Sequence, residues 1–256
     1  MKAEGVAWVT GASRGLGRAL ALALAGRGFR VRAGMRNPAD GDDLPDLAAQ
    51  TAGQLSVEAL DVRRPESLRA PEGLRVLVNN AGLDGAYLPV EHAPMSLWRE
   101  LFETNLFGLL EVTRRAVPRL RAAGGGVVCN ITSCSTLQEV PFYAAYRASK
   151  AAAGALGESL RAELAGFGIR VLEVMPGPID TQMLSASDRL PEAAEYEGYQ
   201  ELAKDLWRGR QGVADLITAP EAAAARIVDA ILDDDAPARV ACDPLGENLL
   251  AASAVG

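Results

Sequence analysis

The residues of this chain best suited to do chemistry lie close together between Ser133 and Lys150, in the run S-C-S-T-L-Q-E-V-P-F-Y-A-A-Y-R-A-S-K. Tyr146 and Lys150 are four positions apart, so on a helix they share one face and send their polar ends the same way. Ser133 lies thirteen residues before the tyrosine, just after the apolar run V-V-C-N-I-T, which reads as a strand. That places a hydroxyl at a strand's carboxyl end, where open α/β sheets bind their ligands. A cation beside a phenol makes a proton donor or acceptor that works near neutral pH. A free phenol titrates near ~10, and bringing it to about 7 takes roughly 4 kcal/mol of preference for the phenolate. A close ammonium and a positively charged ligand ring, together in a cleft of reduced dielectric, supply a preference of that size. Tyr-x-x-x-Lys alone describes many helix surfaces. The elements that must hold it decide its meaning.

The first of these is Gly5 to Thr10, a short apolar run leading into Gly11-Ala12-Ser13-Arg14-Gly15-Leu16-Gly17, after which Arg18 to Arg27 has the Ala/Leu content of a helix. Strand, glycine turn and helix in that order present backbone N–H groups to a phosphate. Gly11, Gly15 and Gly17 permit the tight turn, the close approach of a pyrophosphate and close packing of helix on strand. Phe29 to Met35 reads as the second strand, and its end selects the dinucleotide. An NAD site places a carboxylate about 20 residues after the glycines, to hold the ribose 2′-hydroxyl. Here Met35 and Arg36 stand there instead. With Arg14 from the glycine loop, two guanidiniums converge on a 2′-phosphate, at ~1.5–3 kcal/mol for each charge-assisted hydrogen bond. The expected cofactor is therefore NADP(H).

Asn37 to Gly53 reads as a loop with one short helix, and Gln54 to Leu60 as a third strand ending in Asp61-Val62, where an adenine can rest. Arg63 to Gly73 is short for a full crossover helix, so one or two turns are expected before a fourth strand, Leu74 to Val78. Asn79-Asn80-Ala81-Gly82 follows at the strand end, small enough to let backbone approach a ribose, with amides to tie neighbouring strands. Met95 to Ala122 reads as a long helix, kinked near Pro118. Asn105, near its middle, costs helix propensity and is either a surface amide or the site of a local bulge. After three glycines comes the strand into Ser133, then a helix from about Phe142 to Phe167 rich in small residues, suited to close packing against another helix or a second subunit. Ile169 to Met175 is a sixth strand, closed by the turn Pro176-Gly177-Pro178-Ile179-Asp180-Thr181. The segment from Gln182 to Gly212 carries Met183, Leu184, Tyr196, Tyr199, Leu202 and Trp207 among charges and reads as a flap over the cleft. Pro220 to Leu232 is a final helix, Ala238 to Cys242 a last strand, and Asn248 to Gly256 a small apolar tail that either docks or frays.

Composition bounds the rest. At 256 residues, 49% hydrophobic and 23% charged, the chain has the make-up of one large α/β domain. A net charge of −7 argues against nucleic acid or an anionic membrane as the main partner. The start at Met1-Lys2-Ala3-Glu4-Gly5 gives no expectation of a signal peptide, and no charge-free apolar run reaches membrane-spanning length. Cys129, Cys134 and Cys242 lack metal-binding spacing and are expected as reduced thiols in the cytoplasm. The one histidine, His92, cannot build a His-based metal centre, so no metal site is expected.

T-G-A-S-R-G-L-G at Thr10 to Gly17, Asp61-Val62, N-N-A-G at Asn79 to Gly82, Asn105, Ser133, Tyr146-x-x-x-Lys150 and P-G-P-I-D-T, taken together and in order, resemble the short-chain dehydrogenases/reductases. The resemblance runs from about Gly5 to Thr181. It implies a single Rossmann-type domain over residues 1–256, with a seven-stranded parallel sheet, helices on both faces and the 182–212 segment as substrate flap. It implies Asn105, Ser133, Tyr146 and Lys150 as the catalytic set. Tyr146 gives a proton to a carbonyl oxygen or takes one from an alcohol, and Ser133 orients that oxygen. Lys150 lowers the phenol's pKa and holds the nicotinamide ribose, while Asn105 supports a water relay. The implied cofactor site comprises Gly11, Ser13, Arg14, Gly15, Leu16, Gly17, Arg36, Asp61, Val62, Asn80, Ala81, Gly82, Tyr146, Lys150, Pro176, Gly177, Ile179 and Thr181. Basic residues at Arg14 and Arg36 mark NADP-preferring members of that family. The C-terminus departs from the glycine-rich strand of tetrameric fatty-acid-synthesis members and lies closer to the hydroxysteroid and retinol dehydrogenase branch. A homodimer is the first expectation, a homotetramer the second.

The function expected is NADPH-dependent reduction of a ketone or aldehyde, reversible as a secondary-alcohol dehydrogenase. A lining of Cys134, Leu137, Val140, Phe142, Met183, Leu184, Tyr199 and Trp207 favours an apolar or aromatic substrate. Cys134 is read as packing, with thiol sensitivity as the alternative. An epimerase or dehydratase that retains its dinucleotide, and a non-catalytic nucleotide-sensing protein, are the other readings. Copurifying oxidised cofactor marks the first, and loss of Tyr146 or Lys150 would mark the second.

Overall fold

The computed structural model describes residues 1–51, 53–187 and 189–253. Seven parallel strands form one sheet: β1 (Val6–Thr10), β2 (Arg30–Met35), β3 (Gln54–Ala59), β4 (Leu74–Asn79), β5 (Gly126–Ile131), β6 (Ile169–Val174) and β7 (Arg239–Val240), in the order β3-β2-β1-β4-β5-β6-β7. The order reverses between β1 and β4, and a crevice at such a switch point, beyond the strands' carboxyl ends, is where open α/β sheets take their ligands. The helices are α1 (Gly15–Gly26), α2 (Leu44–Ala48), α3 (Met95–Phe102), α4 (Leu109–Ala122), α5 (Ala144–Leu164), α6 (Gln182–Ser187), α7 (Gln200–Gln211), α8 (Pro220–Leu232) and α9 (Pro244–Ser253).

Strand alternation sends side chains to two cores. Ala7, Val9, Val76, Val78, Cys129, Leu172 and Val174 pack on one face with Leu20 and Leu24 of α1 and Ile227, Val228 and Ile231 of α8. Trp8, Leu77, Val128 and Val171 pack on the other with Val112, Ala116 and Leu120 of α4 and Leu164 of α5. Each fully buried Leu or Ile contributes about 1.5–3 kcal/mol, so both faces hold the strand ends firmly. The amides tie the strands as expected: Asn79 Nδ2 donates to Asn130 Oδ1 (2.9 Å) and to Thr113 Oγ1 of α4 (2.9 Å).

The third crossover is as short as its sequence, a single turn of 3-10 helix at Pro65–Ser67. The helix expected over Met95 to Ala122 is divided by a π turn, Glu103–Gly108, at the position of Asn105. Asn105 is buried, 1% exposed, which settles it as the bulge residue rather than a surface amide. Helix α4 continues through Pro118 to Ala122. Two expectations near the C-terminus are corrected. The last strand is only Arg239–Val240, because the chain turns away at Cys242 and Asp243. The region read as a small apolar tail belongs, through Ser253, to α9, whose start Asp243 caps through Gly246 N (2.9 Å). Residues 254–256 of that tail and Asp188 of the 182–212 segment lie outside the described residues.

Candidate active site

The glycine turn closes over the start of α1. Gly11 is left-handed (φ 67°) and a Cβ there would lie 2.8 Å from Ala81 Cα. A Cβ on Gly17 would lie 2.3 Å from both Asn80 Nδ2 and Gly11 O. Only glycine allows this contact between the loop after β1 and the loop after β4. Thr10 Oγ1 accepts from Asn80 N and Ala81 N (3.1 Å each), and Asn80 Nδ2 donates to Thr10 O (3.0 Å) and Gly11 O (3.1 Å). Both amide protons of Asn80 are thus spent on the glycine loop, leaving its Oδ1 for a ligand. The first turn of α1 has no acidic residue to compete with an anion at its N-terminus. Arg14 and Arg36 are exposed on this side, and neither enters an ion pair among the described residues. Asp61 stands at the end of β3. Its burial pushes the carboxyl up, but the backbone and guanidinium of Arg63 outweigh that and hold it below the usual range. Val62, beside it, is buried.

The turn from Pro176 to Thr181 faces the glycine loop from β6, with Thr181 Cγ2 3.0 Å from where a Cβ of Gly15 would be. It is held from behind. Gly177 N donates to Asp243 Oδ2 (2.6 Å), Cys134 N to Pro176 O (2.9 Å), and Thr218 N to Pro178 O (2.9 Å).

Between these loops stand the chemical groups. Lys150 is buried and Nζ donates to Ile131 O (2.9 Å), at the carboxyl end of β5. Its ammonium lies 5.9 Å from the centroid of the Tyr146 ring, one helical turn earlier on α5. Burial lowers the Lys150 pKa to about 8, the charge of Asp84 acting against the fall. Burial, with the charge of Asp84 adding to it, raises the Tyr146 phenol above its ordinary range, and a hydrogen bond with Ser133 acts in the opposite sense. The chain's own groups thus keep Tyr146 protonated at neutral pH. Ser133 is buried and its Oγ pairs with Ser135 Oγ at 2.9 Å. Asn105 reaches α5 from the π turn: Nδ2 donates to Ser149 Oγ (3.0 Å) and to Leu83 O (3.0 Å), and Oδ1 accepts from Leu83 N (2.8 Å). It therefore pins the loop after β4 against the helix of Tyr146. Cys134 is buried and its thiol is pushed up to about 12, chiefly by burial.

A cavity opens beside Tyr146, lined by Asp84, Tyr87, Leu97, Trp98, Phe142 and Tyr143 among others. Of the lining expected from sequence only Phe142 borders it. Met183 and Trp207 are 43% and 37% exposed, and Tyr199 meets Phe142 edge-on at 5.9 Å. Phe142 has a left-handed backbone (φ 66°), strained for a non-glycine residue. Sequence reasoning passed over Asp84, Tyr87, Trp98 and Arg210. Tyr143 and Tyr87 stack at 4.5 Å, and Tyr143 OH donates to Tyr87 OH (2.8 Å), which donates to Asp84 Oδ2 (2.6 Å). Arg210 of α7 sits 4.2 Å over the Tyr87 ring. The 182–212 segment is fastened to the loop after β4 by Ala193 N to Tyr87 O (3.0 Å), Tyr87 N to Glu192 Oε2 (3.0 Å) and stacking of Tyr196 on His92 at 4.0 Å. The cavity's free volume is about 10 Å³, room for about one water. Among the described residues no helix is long and apolar enough to cross a membrane, and no cluster could hold a metal ion.

Comparison with known proteins agrees with this arrangement. The family model described as short chain dehydrogenase matches residues 5–190. The uncharacterized oxidoreductase YusZ of Bacillus subtilis is 38% identical over 71% of this chain and 68% of its own length. Rat estradiol 17-beta-dehydrogenase 2 is 34% identical over 70% of this chain, which spans only 49% of that protein. A short chain dehydrogenase from Burkholderia cenocepacia, crystallised in complex with NADP, superposes with a TM-score of 0.77 over 99% of this chain and 94% of its own, at 30% identity. With the strand order, the glycine loop and the Ser133–Tyr146–Lys150 group at the strand ends, these matches establish that the chain belongs to the short chain dehydrogenase family of oxidoreductases.

Proposed function

We propose that this protein is an NADPH-dependent oxidoreductase that reduces a ketone or aldehyde to its alcohol and, in reverse, oxidises a secondary alcohol. The observation that carries the reading is the placement of Ser133, at the carboxyl end of β5, and Tyr146, whose ring centroid lies 5.9 Å from the buried ammonium of Lys150, at the sheet's switch point. A hydroxyl and a phenol that both donate to one carbonyl oxygen would stabilise the charge developing on it. Tyr146, kept protonated by its burial, delivers the proton as charge develops on that oxygen, and Ser133 orients it. Bound in the crevice, the reduced dinucleotide supplies the hydride.

The residues present fit that cofactor. The α1 N-terminus, free of carboxylates, takes the pyrophosphate together with Ser13, Leu16 and the three glycines of the loop. Arg14 and Arg36, exposed and without an ion pair among the described residues, take the 2′-phosphate. Asp61 and Val62 flank the adenine, Asn80 Oδ1 with Ala81 and Gly82 meets a ribose, and Pro176, Gly177, Ile179 and Thr181 meet the carboxamide. The NADP complex of the Burkholderia relative supports the choice of NADP. The π turn at Asn105 supplies the local irregularity that a water relay to Lys150 needs. Residues 182–212 act as a substrate flap, fastened here and required to lift for entry to so small a cavity. Leu97, Trp98, Leu101 and Phe142 favour an apolar or aromatic substrate body. A homodimer or homotetramer in the cytoplasm completes the reading, supported by the small residues along α5 and the exposed Phe107.

The test is loss of 340 nm absorbance with NADPH over a panel of aryl, aliphatic and steroid ketones, for the native protein and for Tyr146→Phe. The expected result is turnover that falls by about 10²- to 10⁴-fold in the variant, with NADPH binding retained. Undiminished turnover in Tyr146→Phe would remove the assignment.

A further inference from the structure

Asp84 belongs to none of the motifs that identify the family, yet its charge acts on both Tyr146 and Lys150. It follows the Asn79–Gly82 turn, on a loop so close to the site that a Cβ on Gly82 would lie 3.3 Å from Lys150 Nζ. Asp84 and Tyr146 line the same cavity. The carboxylate is fixed rather than mobile, because Oδ1 accepts from Gly85 N (2.7 Å) and Oδ2 from Tyr87 OH (2.6 Å). A carboxylate offers about four acceptor positions, so acceptor capacity remains after these two bonds. The groups that act on it from neighbouring elements are Arg210 of α7, Glu192 of the flap, Lys150 and Tyr146 of α5, and Tyr143 at the start of α5. Burial is the largest influence on Asp84 and works against its charge, so the position carries an energetic penalty. Its charge also opposes ionisation of Tyr146, which burdens the oxidation direction. Tyr87 OH, Gly85 N and the charge of Arg210 offset the burial penalty only in part, since the carboxyl stays above its ordinary range, and beside its remaining acceptor capacity the cavity walls Leu97, Trp98, Leu101 and Phe142 offer apolar or aromatic surface.

We propose that Asp84 is a specificity-determining residue that accepts a hydrogen bond from a donor group, a hydroxyl or protonated amine, carried by the substrate close to its carbonyl. The substrate class is then a hydroxy- or amino-substituted ketone or aldehyde on an apolar or aromatic body. This rests on the carbonyl-reductase reading of the same site and narrows it. A hydrogen bond to a charged acceptor is worth about 10- to 150-fold in selectivity when the analogue lacks the donor.

The experiment compares kcat/KM with NADPH for acetophenone, its α-hydroxy and α-amino derivatives (PhCOCH2OH and PhCOCH2NH3+) and benzoylformate, in the native protein, Asp84→Asn and Asp84→Leu. NADPH binding, followed by its fluorescence, verifies that each variant is folded. In the native protein the hydroxy and amino ketones are expected to exceed acetophenone by at least about 10-fold. In Asp84→Leu both ratios are expected to fall to near one. In Asp84→Asn, which keeps an amide oxygen as acceptor, the hydroxyl ratio survives in part and the ammonium ratio is lost. Equal rates for the first three ketones, ratios that persist in Asp84→Leu, or a preference for benzoylformate, which would point to Arg210, each overturn the proposal. If no ketone is reduced, the reductase reading fails separately. The thermal shift each ketone gives to the protein–NADPH complex then makes the same comparison for Asp84 by binding alone.

Discussion

Lys150 shows how a single residue holds stability and function in opposition. Its amine is buried on the hydrophobic end of β5 with one backbone acceptor, and burial has lowered its pKa to about 8 from the ordinary lysine value near 10.5. A folded-state pKa below the unfolded one means that the native state binds fewer protons between those two values. Stability therefore rises with pH from about 8 towards the ordinary value, and the penalty of the buried ammonium is present in full below pH 8. Lys150→Met is expected to be more stable than the native protein at pH 7, by ~1–3 kcal/mol, and to lose most of that advantage by pH 10. Chemical denaturation of both proteins at the two pH values measures this, and a pH-independent difference would show that the charge is not the cause. Arg36 makes the complementary case for an exposed residue. Removing it breaks no hydrogen bond or ion pair among the described residues, so Arg36→Ala is expected to weaken NADPH binding by about 10- to 150-fold and to change NADH binding little. Equal losses for both, in a direct titration, would place the guanidinium away from the 2′-phosphate.

At the scale of elements, the least expected connection is between α9 and the turn after β6. Asp243 is fully buried, and its two oxygens serve different elements: Oδ1 caps α9 through Gly246 N, and Oδ2 holds Gly177 N. The helix that ends the described chain thereby braces the turn proposed to meet the nicotinamide carboxamide. Asp243→Ala leaves both N–H groups without their acceptor and is expected to cost about 2–4 kcal/mol, with a several-fold rise in the KM for NADPH. Asp243→Asn retains one acceptor oxygen and is expected to recover part of both losses. A variant that lost stability without any change in KM would separate α9 from the cofactor turn. The sequence concealed this link for a physical reason. Asp243 is local to only one of its partners: Gly246 lies three residues on, but Gly177 lies 66 residues away, and no spacing rule spans that distance. The same holds for Asp84, Tyr87, Tyr143 and Arg210, which meet from a loop, a helix start and the flap. By contrast, the glycine turn, the amides after β4 and the Tyr146–Lys150 pair were legible because each is local: a strand end, a tight turn or one face of one helix. The shortness of the third crossover was legible because Arg63 to Gly73 simply holds too few residues for more than a turn.

Across the whole molecule, the alternation of apolar residues along β1, β4, β5 and β6 fixes two cores and hence the level at which every strand ends. The site is a consequence of that level surface: Thr10, Asn79, Ile131 and Val174 close their strands on one side of the sheet, and every loop proposed to hold cofactor leaves from there. What the cores do not fix is the rotation of the helix that carries Asn105. A π turn is an α-helix that has accepted one extra residue, and in this chain it falls between a half that faces the cleft and a half, α4, that fills the core with Val112, Ala116 and Leu120. One residue in a helix is worth about 100° of rotation. Deleting a single residue other than Asn105 within Glu103–Gly108 would therefore keep every other side chain and yet turn one half against the other. Either Asn105 would swing away from Ser149, or the apolar stripe of α4 would swing out of the sheet. Catalytic geometry and hydrophobic packing are thus set to a common phase by chain length alone, and an insertion or deletion there is far more damaging than a substitution at the same place.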